Sequence, residues 1–137
     1  MRHKQNKVKM NFFKRYFFTT ICTIAILILS LFPTQDFPPL EDVPLTDKWA
    51  HGLMYCGLML CIWFDWIQIK LRPSFKHSFI SIFYCVALGG IIELIQPFFS
   101  RSKDILDFYA NCIGVIIGYL LGYAIKRYFS KVYKGSL

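Results

Sequence analysis

Acidic residues are scarce in this chain, with eight Asp and Glu against sixteen Lys and Arg in 137 residues, for a formal charge of +8. The excess argues for nucleic acid only where basic residues share one surface. Here they gather in short segments flanking apolar runs, which argues against that partner and marks them as topology signals. Cysteine is confined to Cys22, Cys56, Cys61, Cys85 and Cys112, and no Cys-x-x-Cys pair occurs. Neither a disulfide framework nor a zinc knuckle is therefore indicated, and the thiols read as small hydrophobes inside apolar segments. No small-x-small cleavage pattern follows the first apolar run, where Leu31-Phe32-Pro33-Thr34 stands, so that run is expected to be retained rather than removed as a signal peptide. Alternation of polar and apolar residues is missing from stretches such as Thr23 to Leu29, which excludes transmembrane strands. No internal repeat or low-complexity tract is present.

Hydrophobicity is what the chain has in excess. It is 55% hydrophobic and 18% aromatic, with a mean hydropathy of +0.43, too oily for a soluble domain of this size. Four stretches, about 16–32, 49–69, 78–99 and 105–128, each approach the roughly 17 to 25 residues that a spanning helix needs. The expectation is an all-α, four-helix transmembrane bundle forming one domain, between a basic N-terminal segment (1–15) and a basic tail (129–137). Lys and Arg cluster in that first segment, at Lys70, Arg72 and Lys76, and at Lys126, Arg127, Lys131 and Lys134. By the positive-inside bias these regions and both termini are cytoplasmic, and the other two connections lie outside. The chain is thus read as a multi-pass membrane protein. The first outer connection carries Pro33, Pro38, Pro39 and Pro44, which stiffen it as either a connector or a cap.

Polar residues crowd the ends of three of these segments: Asp47, Lys48, His51, Glu93, Gln96, Asp107 and Asn111. A carboxylate at the centre of a membrane helix costs roughly 2.5 to 3.5 kcal/mol even on the lenient insertion scale, so such groups face a bundle interior or an aqueous cavity. Helical geometry places Asp47, His51 and Tyr55 on one face of the second segment and Glu93 with Gln96 on one face of the third. Asp107, Asn111, Gly114, Gly118 and Gly122 fall within a stripe of roughly 80° on the fourth. The glycines form a small-residue ladder that admits another helix closely. With a rise of about 1.5 Å per residue, His51, Glu93 and Asn111 reach one common level. Glu93, Asp107 and His51 are the acid, base and proton-carrier candidates, and Arg101 in the adjoining loop suits an anion clamp. A salt bridge from Arg101 to Asp104 or Asp107 is an equally good reading, and a neutralised structural network remains open for the whole cluster. Asp65 lies near the cytoplasmic end of its segment, where it can reach the interface, and is kept apart from the site. His51, Glu93 and Asp107 could supply three metal ligands, but without a His-Glu-x-x-His arrangement or paired histidines no metal or other cofactor is expected.

The pattern Asp47-Lys48-x-x-His51-x-x-x-Tyr55, Glu93-x-x-Gln96, Arg101, Asp107-x-x-x-Asn111-x-x-Gly114-x-x-x-Gly118 resembles the signature of VanZ-like bacterial membrane proteins, over about Asp47 to Gly122. The resemblance implies a place in the bacterial cytoplasmic membrane and a role at the cell envelope, since the family's namesake is associated with resistance to the lipoglycopeptide teicoplanin; it implies no settled reaction. The expected function is an outward-facing polar pocket that binds or modifies an envelope lipid or lipid-linked precursor. The ligand-contacting candidates are Asp47, Lys48, Tyr55, Gln96, Arg101 and Asn111. A non-enzymatic lipid-binding or translocating protein, and a scaffold whose polar cluster fixes helix register, are the alternatives. Self-association into a homo-oligomer stays open.

Overall fold

The structure, a computed structural model, describes residues 11–32, 46–100 and 104–135. Among these it has five α-helices: α1 (Phe12–Arg15), α2 (Phe17–Leu31), α3 (Thr46–Gln68), α4 (Phe75–Ile95) and α5 (Ile105–Gly135), with a single 3-10 turn, Gln96–Phe99, closing α4. The chain is all-α. Three helical stretches, Asp47–Gln68, Phe75–Phe99 and Ile105–Val132, have the length and composition to cross a membrane, and Phe17–Leu31 is a shorter apolar helix. The one-turn α1 lies within the basic N-terminal segment and is set off from α2 at Tyr16, whose backbone (φ −121°, ψ 46°) leaves the helical region. At the other end α5 runs on to Gly135, into the segment read as a tail, where helix-favouring Lys131 continues the helix after the apolar run stops.

Local signals set the boundaries. Lys70 (φ 53°) takes the left-handed conformation after α3, and Leu71 N–H to Trp66 C=O with Lys70 N–H to Ile67 C=O completes a Schellman-type ending. Ser74 and His77 exchange capping contacts at the start of α4. Asp104 Oδ1 accepts the Leu106 N–H at 2.9 Å, capping α5.

The α3–α5 pair is the most extensive helix contact, and glycine makes it possible. A Cβ on Gly114 would collide with the Gly52 carbonyl, one on Gly118 would lie 2.6 Å from the Cys56 carbonyl oxygen, and one on Gly122 would enter the Trp63 ring. The core, with Tyr55, Leu58, Met59, Ile62, Trp63 and Trp66 from α3 against Cys85, Ile92 and Val115, is therefore built around α3. Outward faces carry Leu53, Phe79, Phe83, Ile113, Ile116 and Leu120 in exposed positions, as a lipid-facing surface requires.

Asp65 departs from its expected place at the interface. It is buried, and its carboxylate accepts the Phe18 N–H at 3.2 Å, the Thr19 N–H at 2.9 Å and the Thr19 hydroxyl at 2.7 Å. Residue Tyr16 supplies α2 with no side-chain cap. Asp65 provides it from another helix, satisfying amides that the first turn leaves orphaned and placing negative charge at the positive end of the helix dipole.

Candidate functional site

The site lies where α3 begins, α4 ends and α5 begins, at the opposite end of the bundle from Asp65. Antiparallel packing brings these termini together, and the i,i+4 period does the rest: Asp47 and His51 project from one face of α3, Asp107 and Asn111 from one face of α5. His51 is central and buried. Its Nδ1 donates to Asn111 Oδ1 at 3.2 Å and lies 3.8 Å from Glu93 Oε1. Its Nε2 lies 3.9 Å from Asp47 Oδ1 and 3.9 Å from Asp107 Oδ2.

Glu93 and Asp107 are 4% and 3% exposed. Both Glu93 oxygens, Asp107 Oδ1, Asn111 Nδ2 and Tyr55 Oη are buried without a hydrogen-bond partner among the described residues. Buried polar atoms are nearly always satisfied in folded proteins, so several open ones in one place call for a reason. The rim is wetter. Asp47 is 57% exposed at its side chain. Lys48 Nζ pairs with Asp104 Oδ2 at 2.8 Å and lies 3.5 Å from Asp107 Oδ1. The hydrogen bond from Lys48 holds the Asp104 carboxyl below the ordinary carboxylate range.

Asp47, Lys48, His51, Glu93, Asp107 and Asn111 thus come together. Tyr55 sits deeper: a Cβ on Gly89 would lie 3.4 Å from its ring and 3.1 Å from Asn111 Nδ2. Gln96 turns elsewhere, its Nε2 donating to the Ser30 carbonyl at 3.3 Å, which satisfies an orphan group at the end of α2. Arg101 lies outside the described residues, as does the proline-rich connection. Asp104 is the partner that sequence reasoning missed for Lys48; its place just ahead of α5 as a capping residue was the available signal. Gly89 on α4 is the small residue that lets Asn111 and Tyr55 approach that helix. Two open cavities, of about 430 and 360 Å3, lie away from this cluster, one lined by Trp63, Ser78, Tyr119 and Lys126 and the other by Tyr16, Thr19, Thr23 and Tyr84.

A sequence model of the VanZ/LLP1 family matches residues 2–126. The chain belongs to the VanZ/LLP1 family. It is a helical membrane protein of that family, and its polar cluster falls entirely within the matched region. It is also similar to an uncharacterized protein of the fission yeast Schizosaccharomyces pombe, 28% identical over 103 residues, covering 74% of this chain and 61% of the yeast protein. No solved structure matches the chain.

Proposed function

We propose that this VanZ/LLP1 protein uses its polar cluster on the polar headgroup of a membrane lipid or lipid-linked envelope precursor, with Glu93 and Asp107 as acid and base, His51 carrying the proton between them and Asn111 orienting the imidazole. The observation that carries the reading is Glu93, a buried carboxylate 3.8 Å from His51 whose oxygens, beyond a loose approach of the Asp104 backbone N–H, have no hydrogen-bond partner among the described residues. A network whose only task is to fix helix register gains by satisfying its members. Open donors and acceptors suit a site that awaits a ligand's polar groups.

Access is through the rim formed by Asp47 and Lys48, and the ammonium of Lys48 gives that rim an anion-attracting group. The basic flanks support a placement of this end on the outer side of a bacterial cytoplasmic membrane, with both termini inside. Envelope chemistry, and with it an effect on teicoplanin susceptibility, is the role that this placement favours.

Isosteric amides test the proposal. Glu93→Gln and Asp107→Asn retain size and most hydrogen-bonding capacity while removing the ionisable group. At least one should accumulate in membranes with normal thermal stability yet lose bound lipid or the susceptibility phenotype. Lipid retained and moved without chemical change would make the protein a binder or translocator. Full function in both variants rejects acid-base chemistry here.

A further inference from the structure

We infer that Asp47, His51 and Asp107 form a binding site for one divalent transition-metal cation such as Zn2+ or Mn2+. The inference rests on the reading of this cluster as functional, but not on the proton relay: with the ion bound, His51 Nε2 and Asp107 are ligands and Glu93 alone keeps an acid-base role. One ligand atom from each of the three residues can be chosen so that all lie within 4.8 Å of one another. Asp47 and His51 stand one turn apart on α3 and Asp107 comes from α5. No local motif records such a set, which is why motif reasoning gave no metal.

Three observations point to an ion rather than to ion pairing alone. His51 Nδ1 is engaged as donor to Asn111 Oδ1, so in the neutral ring the lone pair resides on Nε2, the nitrogen that faces Asp47 and Asp107. Second, the two Nε2-to-oxygen separations are 3.9 Å. That is too long for a hydrogen bond, yet it suits neighbours around one ion with bonds of about 2.0 to 2.2 Å after slight closure. Third, Asp107 is nine-tenths buried and more, and while its Oδ1 meets Lys48 Nζ only at 3.5 Å, its Oδ2 faces His51 Nε2.

The surroundings match what metal ligands require. A ligating histidine donates its other ring nitrogen to an acceptor that fixes tautomer and orientation, and Asn111 does so here. An imidazole with two carboxylates suits Zn2+ or Mn2+ better than Ca2+, which takes six to eight oxygens, or Mg2+, which keeps most of its waters. Three protein ligands also leave a position open for a water or for an anionic oxygen of a headgroup. A single ion needs no lipid-sized cavity, in keeping with cavities that lie elsewhere.

The test uses the purified full chain in detergent, stripped with a chelator and titrated separately with Zn2+, Mn2+, Mg2+ and Ca2+. Elemental analysis gives the stoichiometry, and Co2+ loading adds an absorption band that reports the ligand set. The expected result is one tightly held Zn2+ or Mn2+ per chain, weakened about tenfold or more by Asp107→Asn, His51→Gln and Asp47→Asn. Asp47 is exposed at the rim, so its variant keeps the test open if a buried substitution misfolds. Glu93→Gln and Asp104→Asn should bind as the parent does. No stoichiometric ion on the folded protein, undiminished binding in all three ligand variants, or Mg2+ and Ca2+ held as tightly as Zn2+ overturns the assignment. Loss of function in Glu93→Gln without any bound ion would refute the metal alone. A bound ion with full function in Glu93→Gln would refute the acid-base reading alone.

Discussion

Thr19 gives both its backbone N–H, at 2.9 Å, and its hydroxyl, at 2.7 Å, to one oxygen of Asp65, 46 positions away in sequence. The charge that interrupts the apolar face of α3 is thereby explained as the cap of α2. An isolated carboxylate in such surroundings would be heavily penalised, and the three donors together with the helix dipole offset that penalty.

Removing this cap should loosen α2 without touching the polar cluster. Asp65→Ala strands two backbone amides and is expected to destabilise the protein by about 1 to 3 kcal/mol, the penalty for leaving buried donors unsatisfied. Thr19→Val removes one bond and should have a smaller effect. Thermal unfolding in detergent checks both, and the double variant should fall short of additivity because the two residues share one interaction. A parent-like midpoint for Asp65→Ala would refute the capping role.

The glycines separate into two kinds. Gly118 has the Cys56 carbonyl 2.6 Å from where a Cβ would sit, whereas Gly57 has nothing within 4 Å. Gly118→Ala should therefore force α3 and α5 apart and lower stability. Gly57→Ala should be neutral or stabilise by up to about 1 kcal/mol through helix propensity. Equal midpoints for the two variants would contradict the close α3–α5 contact.

Much of this was legible beforehand, for physical reasons. Long apolar runs need helices in lipid, and the four-residue spacing of Gly114, Gly118 and Gly122 announces a close helix contact. The shared level of His51, Glu93 and Asn111 follows from counting residues along antiparallel helices. What could not be read were pairings that depend on helix rotation: Lys48 with Asp104, Gln96 with Ser30 and Asp65 with Thr19 are 56, 66 and 46 residues apart. Each joins a side chain to a helix terminus or a capping residue. Sequence shows that such termini need partners, but not which neighbour provides them.

Orientation is open to direct measurement. Cysteines introduced at Pro39 and at Ser102 should react with a membrane-impermeant reagent added to intact cells, and one at Ser74 should react only after permeabilisation. Outside labelling at both Pro39 and Ser74 would contradict the orientation taken from the basic segments.

The last prediction concerns Lys48, which joins an exposed carboxylate to a buried one. Its ammonium hydrogen-bonds to Asp104 and lies 3.5 Å from Asp107 Oδ1. Lys48→Gln removes the charge from both, but the consequences differ: Asp104 can be hydrated, whereas Asp107, 3% exposed, cannot. Unfolding midpoints, measured after chelator treatment so that no added ion neutralises Asp107, should therefore fall further for Lys48→Gln than for Asp104→Asn. The double variant Lys48→Gln with Asp107→Asn should recover part of the loss by removing the stranded charge. Acidification supplies the second readout. Because Lys48 holds the Asp104 pKa below its ordinary value, the pair contributes stability above the unfolded carboxylate pKa of about 4 and loses it as pH falls through the lower folded value. That acid-side loss should be smaller in Asp104→Asn than in the parent. If Lys48→Gln matched Asp104→Asn and Asp107→Asn gave no recovery, Lys48 would serve Asp104 alone and Asp107 would be stabilised by other groups.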